Sequence, residues 1–331
     1  MKSDDEIKLF LYLQVISLLN GLSWDFFIIS FFSTFFFALG AIYGKLLTAH
    51  FNNKPLHLLI YHLVLNVFFI IPIYLVFFYL IGDSSIFSLE NILFITLSGI
   101  TVFIGMISFY YGLNTSDVSI GSVVLSSKVF IGIILGTLLL NEIYSLETYL
   151  FIPIIVFGVI LVSYDPNISI KEILLLKKSF FFILTIFFWS LADAFISMLQ
   201  GDLHPLTILL LRSIVLFFLS MFFLIAVKYF NSEKFEMSFS KKTSLLIVGY
   251  ILVLTIADLT FIYILGISLT ISQAIGTLEG VFVFLIIIFA SIKIKTISNI
   301  LNEPLDRKTV VIRALGTIIA TIATIGLIFS L

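Results

Sequence analysis

The sequence predicts an all-α integral membrane protein with ten transmembrane helices, arranged as two inverted five-helix repeats behind an apolar N-terminal segment. Three observations predict this fold. Hydrophobic residues make up 61% of the 331-residue chain and charged residues only 11%. The apolar residues form ten runs of about 20 to 28 residues, each long enough to cross about 30 Å of hydrocarbon as a helix. The runs also divide into two sets of five that match at related positions.

The ten apolar runs define the predicted spans. A water-soluble protein of this length would need far more polar surface than 18 Lys and Arg and 19 Asp and Glu residues supply, so lipid is the expected solvent. We therefore expect a multi-pass protein of the cell membrane. In chain order the runs cover residues 23–48, 55–82, 91–113, 117–140, 146–164, 177–200, 204–229, 243–266, 270–292 and 309–331.

The first 22 residues form a separate N-terminal segment. Lys2 and Lys8 are interspersed with acidic residues and no small-residue cleavage site follows, so the segment does not resemble a signal peptide. Residues 7–22 are apolar and either lie on the membrane or cross it. Both arrangements stay open at this point.

Composition and motifs exclude several classes of function. A net charge of −1 gives no basic footprint for nucleic acid, and the absence of cysteine excludes disulfides, thiolate metal sites and thiol redox chemistry. No phosphate-binding loop or nucleophile elbow is present, so we expect neither an enzyme nor a bound cofactor or metal. The four histidines lack the spacing of metal ligands, and they are His50, His57, His62 and His204.

Sequence matches between the two halves indicate an internal duplication, with one repeat over residues 23–165 and the other over 166–331. At an offset of 150 residues Pro55 aligns with Pro205, which places His62 on Arg212. At an offset of 152 the matching pairs are Leu39 with Leu191, Phe109 with Phe261, Tyr111 with Tyr263, Val129 with Val281 and Phe130 with Phe282.

An odd number of spans per repeat inserts the second repeat upside down, which is the inverted arrangement of many secondary transporters. Loop charge supports this. The loops after spans 1, 5, 7 and 9 are rich in Lys and Arg, whereas those after spans 2, 4 and 6 carry acids and essentially no base. The positive-inside rule therefore places the basic loops in the cytoplasm. It also places the start of span 1 outside, unless residues 7–22 cross the membrane.

Short motifs over nearly the whole chain after residue 22 resemble those of the EamA-type transporters in the drug/metabolite transporter superfamily. This family is built from two five-helix repeats. Its first, second and fourth helices carry a Trp-Gly-like pair, an Arg, and a Pro-Val-Phe-like turn with a terminal Glu. The residues that carry the resemblance are Tyr110-Tyr111-Gly112-Leu113, Leu138-Leu139-Leu140-Asn141-Glu142, Pro153 to Gly158, Trp189-Ser190 and Arg212. The resemblance implies a transporter of small metabolites with its site at the repeat interface.

Two features depart from the family pattern. Lys128 stands where a proline is expected before Val129-Phe130, and the second copy has Gly280 at this point and lacks the terminal Glu. Glu142 at the end of span 4 matches the family's terminal acid, although a solvated loop charge would look the same. Gly132 with Gly136, and Gly316 with Ala320, have the small-residue spacing that permits close helix packing.

Ionisable side chains at bilayer depth are the candidate site. Each costs at least about 2.5 to 3.5 kcal/mol to insert, so each needs a partner or a water-filled cavity. Lys128 and Asp258 lie mid-span, and Trp189 precedes Asp193 by four residues on one helix face. The alternative for each charge is an ion pair that joins two helices without touching solute. The candidate residues are His62, Lys128, Trp189, Asp193, Arg212, Asp258 and Glu279.

Lys128 and Glu279 lie on counterpart helices, one position apart in the alignment, and are expected to approach each other. If they pair only with each other they form a latch. If solute comes between them, they bind the carboxylate and the ammonium of an amino acid. Protonation of Asp258 or Glu279 would couple transport to a proton gradient.

The sequence therefore predicts a secondary transporter of small polar metabolites, such as amino acids, that works by alternating access. Proton coupling, exchange and uncoupled facilitation remain open, as do monomer and homodimer. The expected partners are the solute, the lipid bilayer and protons, without nucleic acid. The alternatives are an integral-membrane enzyme acting on lipid-linked substrates, which needs acids or histidines clustered at the membrane interface, and a non-transporting scaffold, which tolerates loss of the buried charges.

Overall fold

The computed structural model describes residues 24–50, 55–81, 88–115, 124–164, 176–199, 202–231, 241–293 and 307–330. Within these residues the regular structure is entirely helical. The predicted N-terminal segment, 1–22, lies outside them, as does the start of the run 117–140. The helices are α1 Trp24–His50, α2 Pro55–Ile81, α3 Leu89–Thr115, α4 Lys128–Leu140, α5 Leu146–Val162, α6 Leu176–Ser197, α7 Pro205–Asn231, α8 Lys241–Leu265, α9 Leu269–Gly276, α10 Glu279–Lys293 and α11 Arg307–Ser330.

Multiple helices of this chain are suited to cross a membrane. Within the described residues, eight segments are long and apolar enough, and one of them joins α9 to α10. The predicted runs 117–140 and 146–164 contain shorter apolar helices, Val124–Leu140 and Leu146–Val162. The prediction of a multi-pass helical membrane protein is confirmed.

The side chains are distributed as lipid requires. Large apolar groups point outward, and Phe222 and Phe329 are 74% and 79% exposed. Many hydroxyl groups are buried and hydrogen-bond to the backbone carbonyl one turn earlier, as Ser30 does to Phe26 over 2.7 Å. Such bonds satisfy a polar group that finds no water in the hydrocarbon.

Two predicted spans are interrupted rather than continuous. The run 270–292 divides into α9 and α10 at a turn where Thr277 N–H donates to the carbonyls of Gln273 and Ala274. The run 117–140 has a matching turn at Ser127, whose N–H and hydroxyl both donate to the carbonyl of Val124. The bonds to Ala274 and Val124 reach only three positions back, which is the tighter 3-10 pattern rather than the regular α-helical one. Lys128 and Glu279 are the first residues of the helices that follow the turns.

Helix packing joins the two halves of the chain. Helix α5 packs along α11, and α2 packs along α7. Small residues let α5 and α11 approach closely, because a Cβ added to Gly158 would fall 2.6 Å from the backbone nitrogen of Ala320. Gly316 in turn faces the carbonyl of Gly158. The packing role expected for Gly316 and Ala320 is confirmed.

Two further helix pairs, α3 with α6 and α8 with α1, each contain a hydrogen bond at an equivalent position. Thr185 of α6 donates to the carbonyl of Gly105 in α3 over 3.4 Å, and Ser33 of α1 donates to that of Ala257 in α8 over 3.0 Å. Both members of the second bond lie 152 residues from their counterparts in the first.

Ring contacts repeat in the same way. Phe109 packs on Trp189 at 5.3 Å between centroids, and Phe261 packs on Phe37 at 5.6 Å. These four residues also form counterpart pairs at the offset of 152. The repeated contacts place Trp189 and Phe261 beside the same interior region of the bundle, where each ring approaches the ammonium of Lys128.

Candidate functional site

An ion pair between Lys128 and Asp193 lies at the centre of the candidate site. Lys128 begins α4, immediately after the turn at Ser127, so its side chain is fixed at the end of a helix rather than within one. Its ammonium lies 2.5 Å from Oδ2 of Asp193 in α6. The ammonium also lies 5.9 Å from the ring centroid of Trp189 and 5.3 Å from that of Phe261. The cation therefore has a carboxylate and two aromatic rings around it.

Gln273 holds the same carboxylate. Its Nε2 donates to Oδ2 of Asp193 over 3.1 Å from α9. The Oε1 atom of Gln273 is buried and accepts no hydrogen bond within the described part of the chain. The side chain lies against Gly132 in α4, where an added Cβ would meet Oε1. Gly132, expected to permit close packing, thus makes room for a polar group beside the ion pair.

A second ion pair joins α7 to α8. Nη2 of Arg212 lies 3.4 Å from Oδ2 of Asp258. The Arg212 side chain is 8% exposed and that of Asp258 is 29% exposed, so the carboxylate is the more accessible partner. Nε of Arg212 is buried and makes no hydrogen bond to the residues that the structure describes.

The charges form one central cluster, which we define as Lys128, Asp193, Arg212, Asp258 and Glu279. Asp258 interacts electrostatically with both members of the first ion pair, and Glu279 interacts with Lys128. The direct carboxylate partner of Lys128 is Asp193 and not Glu279. Lys128 and Glu279, which lie on counterpart helices, therefore interact electrostatically but do not form an exclusive latch.

His62 lies apart from the central cluster. It is 2% exposed in α2 and packs edge-on against Tyr250 at 5.2 Å between centroids. Its two ring nitrogens have no hydrogen-bond partner among the described residues. The hydroxyl of Tyr250 bonds to that of Tyr110 over 2.8 Å. Asp258 follows Tyr250 by eight residues, or about 12 Å along α8.

Glu142, in the loop between α4 and α5, contacts the start of α9. Its Oε1 accepts from the N–H of Leu269 over 2.7 Å and its Oε2 from that of Thr270 over 3.0 Å. A carboxylate at a helix N-terminus satisfies free N–H groups and complements the helix dipole. We call these three residues the outer clamp, because the loop containing Glu142 belongs to the predicted outer side. Glu142 is therefore a structural contact and not a solvated loop charge.

The residues around Glu142 support the outer clamp. Gly136 lies so close that an added Cβ would fall 2.6 Å from Oε2 of Glu142. Tyr144, in the loop after α4, hydrogen-bonds to Ser268, the N-cap residue of α9. Burial and the neighbouring Glu142 carboxylate raise the pKa of the Tyr144 phenol, which stays a neutral hydrogen-bonding group. The Gly136 position in the predicted small-residue pair is thus used for close packing.

Sequence reasoning did not select two residues of this site, Gln273 and Phe261. Gln273 is an uncharged amide in the predominantly apolar run 270–292, and an amide inside a predicted span was a usable signal. Phe261 could be distinguished from the other 37 phenylalanines only by its counterpart Phe109. Neither residue carries a charge, so the insertion cost of ionisable groups does not select them.

One part of the chain resembles a known protein family. Residues 22–164 match the model of the EamA-like transporter family. No curated protein matches the chain. A solved structure described as "Crystal structure of protein" has the same fold, with a TM-score of 0.64 at 12% identity over 91% of this chain and 97% of the other. The resemblance to the EamA-like transporter family that the motifs predicted is therefore confirmed over residues 22–164.

Proposed function

We propose that this protein is a secondary transporter that carries a small zwitterionic metabolite, such as an amino acid, across the cell membrane by alternating access. The observation that supports it is the contact between Lys128 and Asp193 in the membrane interior. An amino acid carries the same two charges and can pair with both residues at once. Charges at bilayer depth commonly mark substrate or ion pathways.

The repeated helix contacts support a ten-helix inverted repeat. In the α3–α6 pair, Ser98 bonds to Ala192 and Gly105 to Thr185, so the residue numbers rise in one helix and fall in the other. The two helices are therefore antiparallel. Helices α1 and α3 run in one direction if α2 crosses between them, so α1 and its counterpart α6 run in opposite directions. We propose that α4 and α5 also cross and complete the count.

The interrupted spans support a site at the repeat interface. Irregular backbone at membrane depth is tolerated where it is buried in protein or lines a cavity, and transporters place their sites at such breaks. The turns at Ser127 and Thr277 are 150 residues apart, which is the offset relating Pro55 to Pro205. Each half therefore contributes one break beside the central cluster.

Each site residue receives a role in this proposal. Lys128 binds the solute's carboxylate and Asp193 its ammonium, while Trp189 flanks the bound solute. Arg212 and Asp258 form the second polar wall, and Glu279, next to Lys128, is the candidate proton carrier. The remaining predicted residue, His62, contributes to the wall between the cluster and the cytoplasm, since its ring contacts Tyr250.

Thermal-shift measurement tests the solute class. The purified protein is heated with amino acids, sugars or nucleotide metabolites, and a ligand that binds only the folded state raises the melting temperature. Amino acids are expected to stabilise the protein, and a stabilising amino acid should enter proteoliposomes that contain it. Stabilisation by sugars or nucleotides alone, or absence of uptake, would contradict the proposal.

Orientation is tested with single cysteines, because the natural chain contains none. Ile143, 80% exposed in the loop after α4, is expected outside, and Lys308, exposed at the start of α11, inside. In intact cells an impermeant thiol reagent should label I143C and spare K308C. The reverse labelling pattern would reverse the predicted topology.

A further inference from the structure

The surroundings of the Lys128 ammonium have the chemistry of a binding site for an organic ammonium ion. Asp193 supplies the counter-charge at 2.5 Å, and the rings of Trp189 and Phe261 lie within 6 Å. Aromatic faces attract cations through the ring quadrupole, and proteins use such cages to bind ammonium groups. Gln273 adds a buried carbonyl oxygen that accepts no hydrogen bond within the described residues.

We propose that Lys128 is a tethered cation that occupies the solute's ammonium site while the transporter is empty. This inference rests on the proposed function and assigns the occupant of the same site in the empty state. The solute's ammonium displaces that of Lys128 from Asp193 and enters between Trp189 and Phe261. The released Lys128 then binds the carboxylate of the same solute.

The hydrogen bonds of Asp193 are consistent with this exchange. Lys128 and Gln273 both donate to Oδ2, at 2.5 and 3.1 Å. Gln273 can therefore hold the carboxylate in place when Lys128 leaves. The unused Oε1 of Gln273 is available to accept an N–H of the incoming ammonium, which has three donors.

The exchange also explains how the site would select zwitterions. A plain amine that displaced Lys128 would take the Asp193 carboxylate from a buried ammonium and bring no carboxylate in exchange, which is unfavourable. A plain carboxylate would have to compete with Asp193 for Lys128. Only a solute with both charges pairs Lys128 and Asp193 at the same time, so the wild-type protein is expected to discriminate against either half of the molecule.

Removing the tethered cation should leave an empty ammonium site. In detergent, butylammonium chloride at millimolar concentration is expected to raise the melting temperature of K128A by several degrees, with saturation. The wild type should show no saturable shift at the same concentration. Sodium butyrate and butanol serve as matched probes without the ammonium, and neither should stabilise K128A.

The double variant K128A/D193N provides the decisive control. It keeps the cage but lacks the counter-charge, so its butylammonium response is expected to fall at least tenfold in apparent affinity. Equal stabilisation of K128A and the wild type, no stabilisation of K128A, or an unchanged response in the double variant would each overturn the inference. If K128A does not purify as a folded protein, K128M with methylammonium makes the same test, because methionine replaces only the stem.

This experiment measures binding and does not depend on transport. If the wild type fails to transport amino acids while K128A still binds butylammonium, the proposed function fails and the ammonium site stands. If the wild type transports amino acids and K128A ignores the amine, the proposed function stands and the tethered-cation inference fails.

Discussion

The two halves of the chain pack alike but differ in charge. The bond from Thr185 to Gly105 recurs as the bond from Ser33 to Ala257, 152 residues away in each case. The charges do not recur. At the same offset Asp193 corresponds to Ala41, and Lys128 corresponds to Gly280. The repeated residues build the helix pairs, whereas the unrepeated ones form the candidate site.

This difference limits what the family match says about the solute. The family match covers residues 22–164, which contribute Lys128 to the central cluster. The other four charges, from Asp193 to Glu279, all come from the second half. A family assignment based on the first half therefore says little about the solute, because most of the charges that would bind it lie outside the matched residues.

The largest effect is expected from removing the charge of Lys128, whose ion pair with Asp193 joins the two halves of the chain. K128M should abolish solute transport, by at least about 100-fold, because breaking a buried ion pair costs about 3 to 5 kcal/mol and leaves Asp193 unpaired. Initial uptake rates in proteoliposomes measure this. K308M makes the same substitution at an exposed lysine and should transport normally. Normal transport by K128M would instead mean that the ion pair has a purely structural role.

The counterpart positions Arg212 and His62 should respond unequally. R212Q removes the partner of Asp258 and is expected to lower transport by about 10- to 100-fold, since the remaining carboxylate is left without its cation. H62Q breaks no ion pair and should reduce the rate by less than about threefold. Both variants are compared with wild type for uptake and for melting temperature. Equal losses would mean that the two halves share the site evenly.

The outer clamp should respond to a smaller change, E142Q. Hydrogen bonds to a charged group contribute about 1.5 to 3 kcal/mol, so weakening them should increase the outward-open fraction by about 10- to 100-fold. Ser272 is fully buried in α9, and S272C therefore reports opening through its labelling rate with an impermeant thiol reagent. E147Q, at an exposed glutamate in the first turn of α5, is the matched control. Unchanged labelling in E142Q would exclude a gating role for the clamp.

The smallest effect concerns the repeated contacts themselves. T185V and S33A each remove one buried hydrogen bond between the halves and should each lower stability by about 0.5 to 1.5 kcal/mol. T260V is the control, because Thr260 bonds only within its own helix. Chemical unfolding in detergent compares the three variants. A large loss in one of T185V and S33A but not in the other would show that the two helix pairs are not equivalent.

Hydropathy was sufficient to predict the membrane class, because about twenty apolar residues in sequence have few alternatives to a spanning helix. It could not predict the breaks at Ser127 and Thr277. A serine or threonine can bond to a carbonyl within an intact helix as well as at a turn, as Ser30 does in α1. The family resemblance was predicted from short motifs and is confirmed over residues 22–164.

The residue types of the candidate site were easier to predict than the contacts between them. Insertion cost selected the six ionisable candidates from the sequence, but it does not say which charge faces which. The partner of Lys128 depends on how α4 packs against α6, and that packing involves Ser190, whose hydroxyl donates to the carbonyl of Lys128. Contacts between distant helices of this kind have no signature in a single sequence. The functional roles of these residues stay predictions.

The short helix α9 connects two contacts whose partner residues, Glu142 and Asp193, lie far from it in sequence. Its first residue, Leu269, is held by Glu142 at the predicted outer side, and Gln273, one turn or about 6 Å further on, holds Asp193. A single helical turn is too stiff to bend, so a shift at one end is transmitted to the other. We therefore expect the two ends of α9 to be coupled: E142Q should change solute affinity, and bound solute should change the labelling rate of S272C. Only four peptide bonds, from Leu269 to Gln273, separate the outer clamp from the residue that holds Asp193, and the coupling would pass through them.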